Sequence, residues 1–176
     1  MTDLDNLKTM FDRLKAVAPE VISLLTAQTE EEYAQFFDSL IERAVCDLEA
    51  NAKNYAGLEE VGLTAALSAF FNGMPGLTVT REGHSNGHVD LTIHVRLASP
   101  IRRRLAEAKI DRGPENHVGG MQQLINRYST GRDKHALMIA YVKLPSIATR
   151  VQALRSHLNK SLPCGQVGAC SDHPAK

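Results

Sequence analysis

Three residues close together in the chain have the types and spacing for metal-assisted chemistry. Asp90 stands at the head of VDLTIHV (89–95), and Glu107 and Lys109 lie two apart in RLAEAKI (104–110). Suppose these segments form an antiparallel hairpin turning around Ala98-Ser99, as Ser99-Pro100 suggests. Asp90 then falls across from Glu107, and the period-two alternation of a strand puts Lys109 on the same face. Like charges facing each other destabilise a strand pair, so a cation is expected between them. A hard ion, Mg²⁺ or Mn²⁺, takes carboxylate oxygens, keeps several waters and leaves room for a phosphate oxygen. It would acidify a water and polarise a phosphoryl group, while a neighbouring ammonium positions the nucleophile and meets growing charge. The chemistry expected is phosphodiester hydrolysis; the competing reading is a salt-bridged, solvated hairpin face.

These side chains need strands and a helix to hold them. LTVTRE (77–82) and VDLTIHV alternate and are β-branched, and ALMIAYV (136–142) reads as a buried strand. Arg, Leu, Ala, Glu and Lys in 102–109 all favour helix, so only context makes that segment a strand. Were it helical, the chain would be an all-helical interaction module. Apolar residues at three- and four-residue spacing predict a helix from Leu4 to Val17 stopped at Pro19, and another from Tyr33 to Leu48 behind the acidic turn Glu30-Glu31-Glu32. Further helices are predicted over 58–71, 118–128 and 146–158, and the segment from Ser161 has no periodicity.

GHVD (87–90), AEAK (106–109) and GMQQLINRY (120–128) resemble the PD-(D/E)XK, restriction-endonuclease-like nuclease superfamily. The resemblance spans about residues 58–143 and lacks the Pro that names the family, Val89 standing before Asp90. It implies an α/β fold whose core runs helix, three strands, helix, strand, with two leading helices and a closing one. It implies Asp90 and Glu107 as metal ligands, Lys109 as partner of the attacking water, and Gln123 facing the site with Tyr128 nearby. The acidic residue of the preceding helix is Glu60, from the match of Glu60, Leu63 and Thr64, with adjacent Glu59 as the alternative. The activity implied is that of a Mg²⁺- or Mn²⁺-dependent nuclease, on DNA before RNA, in restriction, repair or defence. The alternative is a catalytically silent binding or scaffold protein of the same fold. The expected organisation is one compact unit: a helical extension over 1–55, the core over 56–160 and a disordered tail over 161–176.

Charge distribution bears on the partner. Residues 1–60 hold 13 acidic against 5 basic groups, and residues 61–176 hold 15 basic against 7 acidic, so a polyanion would be drawn to the later part. Arg102, Arg103, Arg104 and His88 are candidates for phosphate contact, and Glu82 for an auxiliary carboxylate. His84, His88 and His94 have a zinc-like spacing, but the glycines around them argue for a turn. Cys164, Cys170 and His173 lack a fourth ligand, and three scattered cysteines make no disulfide framework. Neither a membrane span nor a signal peptide is expected, which points to the cytoplasm. The acidic leading helices, with Phe36-Phe37, are expected to serve a homodimer or a partner protein.

Overall fold

A computed structural model of the chain describes residues 3–84, 88–98, 101–128 and 134–171. Among these, the elements run α1 (Asp3–Val17), α2 (Pro19–Thr26), α3 (Glu30–Ala50), α4 (Ala52–Tyr55), α5 (Glu60–Asn72), β1 (Leu77–His84), β2 (His88–Val95), β3 (Arg102–Ile110), α6 (Pro114–Gln123), a π-turn (Leu124–Tyr128), β4 (Ala136–Tyr141) and α7 (Ile147–Ser161). The protein is α/β, with a sheet ordered β1-β2-β3-β4. The links β1 to β2 and β2 to β3 are too short for a crossover, so those pairs are antiparallel. β3 and β4 are parallel, joined through α6, with Glu107 level with Met138 and Lys109 with Ala140. No helix among the described residues is long and apolar enough to cross a membrane.

The segment 102–110 is a strand despite its helical composition, and the leading helices are four where two were predicted. Pro19, read as a stop, starts α2 as well, because the first helical position has no use for the missing N–H and welcomes the fixed φ of proline. The segment after Ser161, expected to be a disordered tail, carries a 3-10 turn at Pro163–Gly165, and the Cys170 N–H donates to Asn159 Oδ1 at 2.7 Å.

By its internal contacts the chain divides into two compact units, and the division passes through α5, β1, β2 and the first residue of β3. The first comprises Met1–Gly57, Ala66–Val79 and His94–Arg102. Its buried residues include Leu24 of α2, Phe71 of α5 and, on α3, Phe36, Phe37, Leu40 and Ala44, the apolar stripe that this helix presents at helical spacing. Gly76 turns α5 into β1 at φ +84°, where an added Cβ would come within 2.8 Å of Leu24 and Leu97. A reciprocal cap starts α3: Thr29 Oγ1 accepts from the Glu32 N–H at 3.2 Å, and Glu32 Oε2 accepts from the Thr29 N–H at 3.0 Å. Thr29→Ala is expected to lower the unfolding free energy by about 1 kcal/mol, read from the shift in urea midpoint at unchanged slope.

The second unit comprises Leu58–Ala65, Thr80–Ile93 and Arg103–Lys176. β3 is its spine, with Leu105, Ala106, Glu107 and Ala108 all at or below 2% exposure, so both faces of the strand are covered. One carboxylate, Asp111, secures the end of β3. Its Oδ1 accepts from the Gly113 N–H at 3.0 Å and lies 2.9 Å from His117 Nε2 on α6, its Oδ2 accepts from Arg150 on α7, and its own N–H donates to the Tyr141 carbonyl at 3.0 Å. Burial pushes the Asp111 carboxyl up, but the hydrogen bonds from His117, Gly113 and Arg150 outweigh it and hold the pKa below the ordinary value. Asp111→Asn is therefore expected to cost about 2 kcal/mol at neutral pH. A carboxyl depressed in the folded state contributes stability above its unfolded pKa and loses it as pH falls through the folded one. The gap between wild type and variant in thermal unfolding should accordingly close in acid.

Candidate functional site

Lys109, near the end of β3, is the hub of a charged cluster. Its Nζ lies 2.6 Å from Glu107 Oε1 and 3.9 Å from Glu60 Oε1. Glu60 opens α5, and its other oxygen accepts from the Ile110 N–H at 3.0 Å. Asp90 reaches the same strand end, where its Oδ2 accepts from the Ala108 N–H at 2.8 Å. The backbone donors on either side of Lys109 are thus taken by carboxylates from α5 and β2.

The approach of Asp90 differs from simple opposition across a hairpin. Val89 clusters with Leu105 and Leu124, and alternation then sends Asp90 from the opposite side of β2. Its carboxylate bends to the β3 backbone and joins the cluster at the junction of the two strands.

Electrostatics follow the geometry. Glu107 is 2% exposed; burial pushes its carboxyl up, the hydrogen bond from Lys109 pulls it down, the charge of Asp90 pushes it up again, and the net shift is upward. Burial pulls the Lys109 ammonium down, but its hydrogen bond to Glu107 and the charges of Glu107, Asp90 and Glu60 leave it above its ordinary value. Lys109 is therefore a cation at neutral pH, a donor and not a base.

Among the described residues no group of three His, Cys, Asp or Glu side chains is arranged to hold a metal ion. The donor chemistry nonetheless fits one. Glu107 Oε2 is buried without a hydrogen-bond partner, and so is Gln123 Oε1. An unpaired buried oxygen is costly and calls for an explanation such as an ion. Carboxylate and carbonyl oxygens are the donors a hard cation takes. Gln123 closes α6 one turn beyond Gly120, which lies against the site: a Cβ there would stand 3.4 Å from Glu107 Cγ and 2.6 Å from Met138 Sδ.

Glu60, Val61, Thr64, Arg81 and Asp90 line a cavity of about 40 Å³, large enough for about two waters. Arg81 of β1 was missed in the sequence, since it belongs to no recognisable pattern, and Thr64 of α5 served there only to single out Glu60. Thr64 Oγ1 lies 3.3 Å from the hydroxyl of Tyr141, a phenol that burial pushes up to about 12.

Of the adjacent acidic pair, Glu60 joins the cluster while Glu59 is exposed. Arg102 is not presented to solvent as a phosphate ligand would be: it pairs with Glu30 and its guanidinium sits 5.1 Å from the Tyr33 ring centroid. Arg104 is buried at 7% exposure and Arg103 half-buried, so packing claims part of this basic run as well. The side chains of Glu82, His84, His88 and Tyr128, and His173, lie outside the described residues. His94 is half-buried on β2, and Cys46, Cys164 and Cys170 are free thiols. Compared with protein-family models, curated proteins and solved structures, the chain matches none.

A carboxyl raised in the folded state gives stability below its unfolded pKa and loses it as pH rises through the folded one. Glu107→Gln should therefore unfold at a higher temperature than wild type in mildly alkaline buffer, with the difference shrinking as pH falls through the carboxylate range. A variant no more stable than wild type at any pH would show that Lys109 fully compensates the burial.

Proposed function

We propose that this chain is a divalent-metal-dependent nuclease that hydrolyses phosphodiester bonds, acting on DNA in preference to RNA, in a setting such as restriction, repair or defence. The observation that carries this reading is Glu107: a buried carboxylate with one oxygen on Lys109 and the other without a partner, in the charge field of Asp90 and Glu60. It fits the PD-(D/E)XK resemblance, in which these residues have the same roles. A fold needing only stability would do better with an apolar residue there, since a buried ion pair rarely recovers its desolvation cost.

Asp90, Glu107 and Glu60 would hold Mg²⁺ or Mn²⁺, with Gln123 offering a further oxygen. The ion, when bound, supplies Lewis acidity to the phosphoryl group and lowers the pKa of a water. Lys109, protonated, donates a hydrogen bond that orients the attacking water and meets the negative charge growing on the phosphoryl oxygens. Arg81 at the cavity adds a cation where a phosphate would arrive. The excess of Lys and Arg after residue 60 favours approach of a polyanion.

Supercoiled plasmid and matched RNA, incubated with Mg²⁺ or Mn²⁺, should show cutting of DNA before RNA. Glu107→Ala and Lys109→Ala should each lower the rate by on the order of 100-fold or more. Calorimetric titration with Mn²⁺ should give binding to wild type and to Lys109→Ala but not to Glu107→Ala. Cutting that survives both substitutions would sink the assignment. A wild-type chain that neither binds Mn²⁺ nor cuts would instead be the silent scaffold of this fold.

A further inference from the structure

Thr64 uses its hydroxyl unlike Thr9, Ser23, Thr26 and Ser161, each of which donates to the carbonyl four residues earlier in its own helix. On α5, one turn after Glu60, Thr64 has its Oγ1 3.3 Å from the Tyr141 hydroxyl at the end of β4. Both residues are buried, at 7% and 8% exposure. Thr64 nonetheless lines the cavity with Glu60, Asp90 and Arg81, whereas Tyr141 stands behind it. All of these residues belong to the second unit.

Two hydroxyls that share one hydrogen bond keep one hydrogen unspent. If Thr64 donates, the hydrogen left over belongs to the phenol, away from the cavity. If Tyr141 donates, it belongs to Thr64 and has the cavity before it. The second arrangement is favoured, because an unspent donor costs less where an oxygen can meet it. The negative charges of Asp90 and Glu60, which bear on the phenol as well, also draw hydrogens toward the cavity that they line. Seating α5 does not depend on this bond. Glu60 Oε2 already accepts from the Ile110 N–H, and the Lys143 ammonium donates to the Leu58 carbonyl.

We propose that Thr64 donates a hydrogen bond to an oxygen of the substrate phosphate in this cavity, beside Arg81, and that Tyr141 is the positioning residue that turns the Thr64 hydroxyl inward. The assignment rests on the nuclease reading and adds two residues to it. A hydroxyl is a neutral donor, so it meets charge growing on a phosphoryl oxygen without pairing with Glu60 or Asp90 as a further lysine would. A bond that strengthens as the oxygen gains charge acts on kcat more than on KM.

Thr64→Val, Thr64→Ala, Thr64→Ser and Tyr141→Phe test this in the full chain, on supercoiled plasmid with Mn²⁺, each checked as folded by circular dichroism. The Val and Ala variants, one keeping the shape and the other leaving a void, should both lower kcat by about tenfold or more with little change in KM. If Thr64→Val does not fold, Thr64→Ala carries the comparison. Thr64→Ser keeps the hydroxyl and should stay within about threefold of wild type. Tyr141→Phe should lower kcat on its own but add nothing in a background that lacks the Thr64 hydroxyl, since the phenol acts only through it. Calorimetric titration should give Mn²⁺ affinity equal to wild type for all four. Val or Ala variants that cut as fast as wild type, a Tyr141→Phe loss that persists without the Thr64 hydroxyl, or a Mn²⁺ affinity that falls along with the rate would each overturn the proposal. In those cases wild type still cuts and the nuclease reading stands, whereas a wild-type chain that does not cut removes both.

Discussion

Burial of the Glu107 carboxylate on β3, an inner strand of the sheet, sets the terms for everything around it. At 2% exposure the ionised group has lost most of its water, and one ammonium at 2.6 Å does not restore what two oxygens had. The surroundings are built as though to hold charge there all the same. Lys109 is kept protonated by the very carboxylates it neutralises, and Glu60 and Asp90 are steadied by the N–H groups of Ile110 and Ala108. Those contacts keep two further negative charges close to Glu107, where they raise the cost of ionising it. Charge concentrated against its own repulsion is what makes a cluster of this kind a candidate functional site.

Most of this was legible because short-range patterns carried it. Asp90, Glu107 and Lys109 could be picked out by type and spacing, and Glu60 could be preferred to Glu59 through Leu63 and Thr64. The strand at 102–110 was harder: its composition is helical, and it is a strand because tertiary burial of Leu105 to Ala108 on both faces outweighs weak local preference. What escaped was nonlocal. Nothing near Arg102 announces that Glu30 and Tyr33, some seventy residues earlier, will claim its guanidinium. The reach of Asp90 to the Ala108 N–H was hidden too, because strand alternation says nothing of a carboxylate that accepts from a neighbouring backbone. The place of Arg81 in the cavity depends on how β1 meets the start of α5, which no pattern within either segment encodes.

Asp111 is the clearest case of a residue whose importance comes from assembly alone. It lies outside the E-x-K pattern, one position past β3, yet its two oxygens receive His117 of α6 and Arg150 of α7. α6 is the element that carries Gly120 and Gln123. The Asp111 contact therefore ties α6 to the end of β3 at His117, six residues before Gln123. A carboxylate with a lowered pKa serves structure here, while the raised one at Glu107 marks the site. Their opposite shifts separate an anchor with full hydrogen bonding from a group left partly unsatisfied.

Gly120 links anchor and site. With no Cβ, it lets α6 lie against Met138 and the Glu107 stem, where a methyl would come within 2.6 Å of Met138 Sδ. Close approach of the helix covers the face of β3 that bears Glu107, which deepens the desolvation. The Met138 thioether is flexible, so a larger residue at 120 could be accommodated by moving it. The helix would then stand further off and Glu107 would regain some water. Such a change would ease the burial of charge while loosening the enclosure of Glu107, so on the proposed reading stability and site chemistry pull in opposite directions at this position.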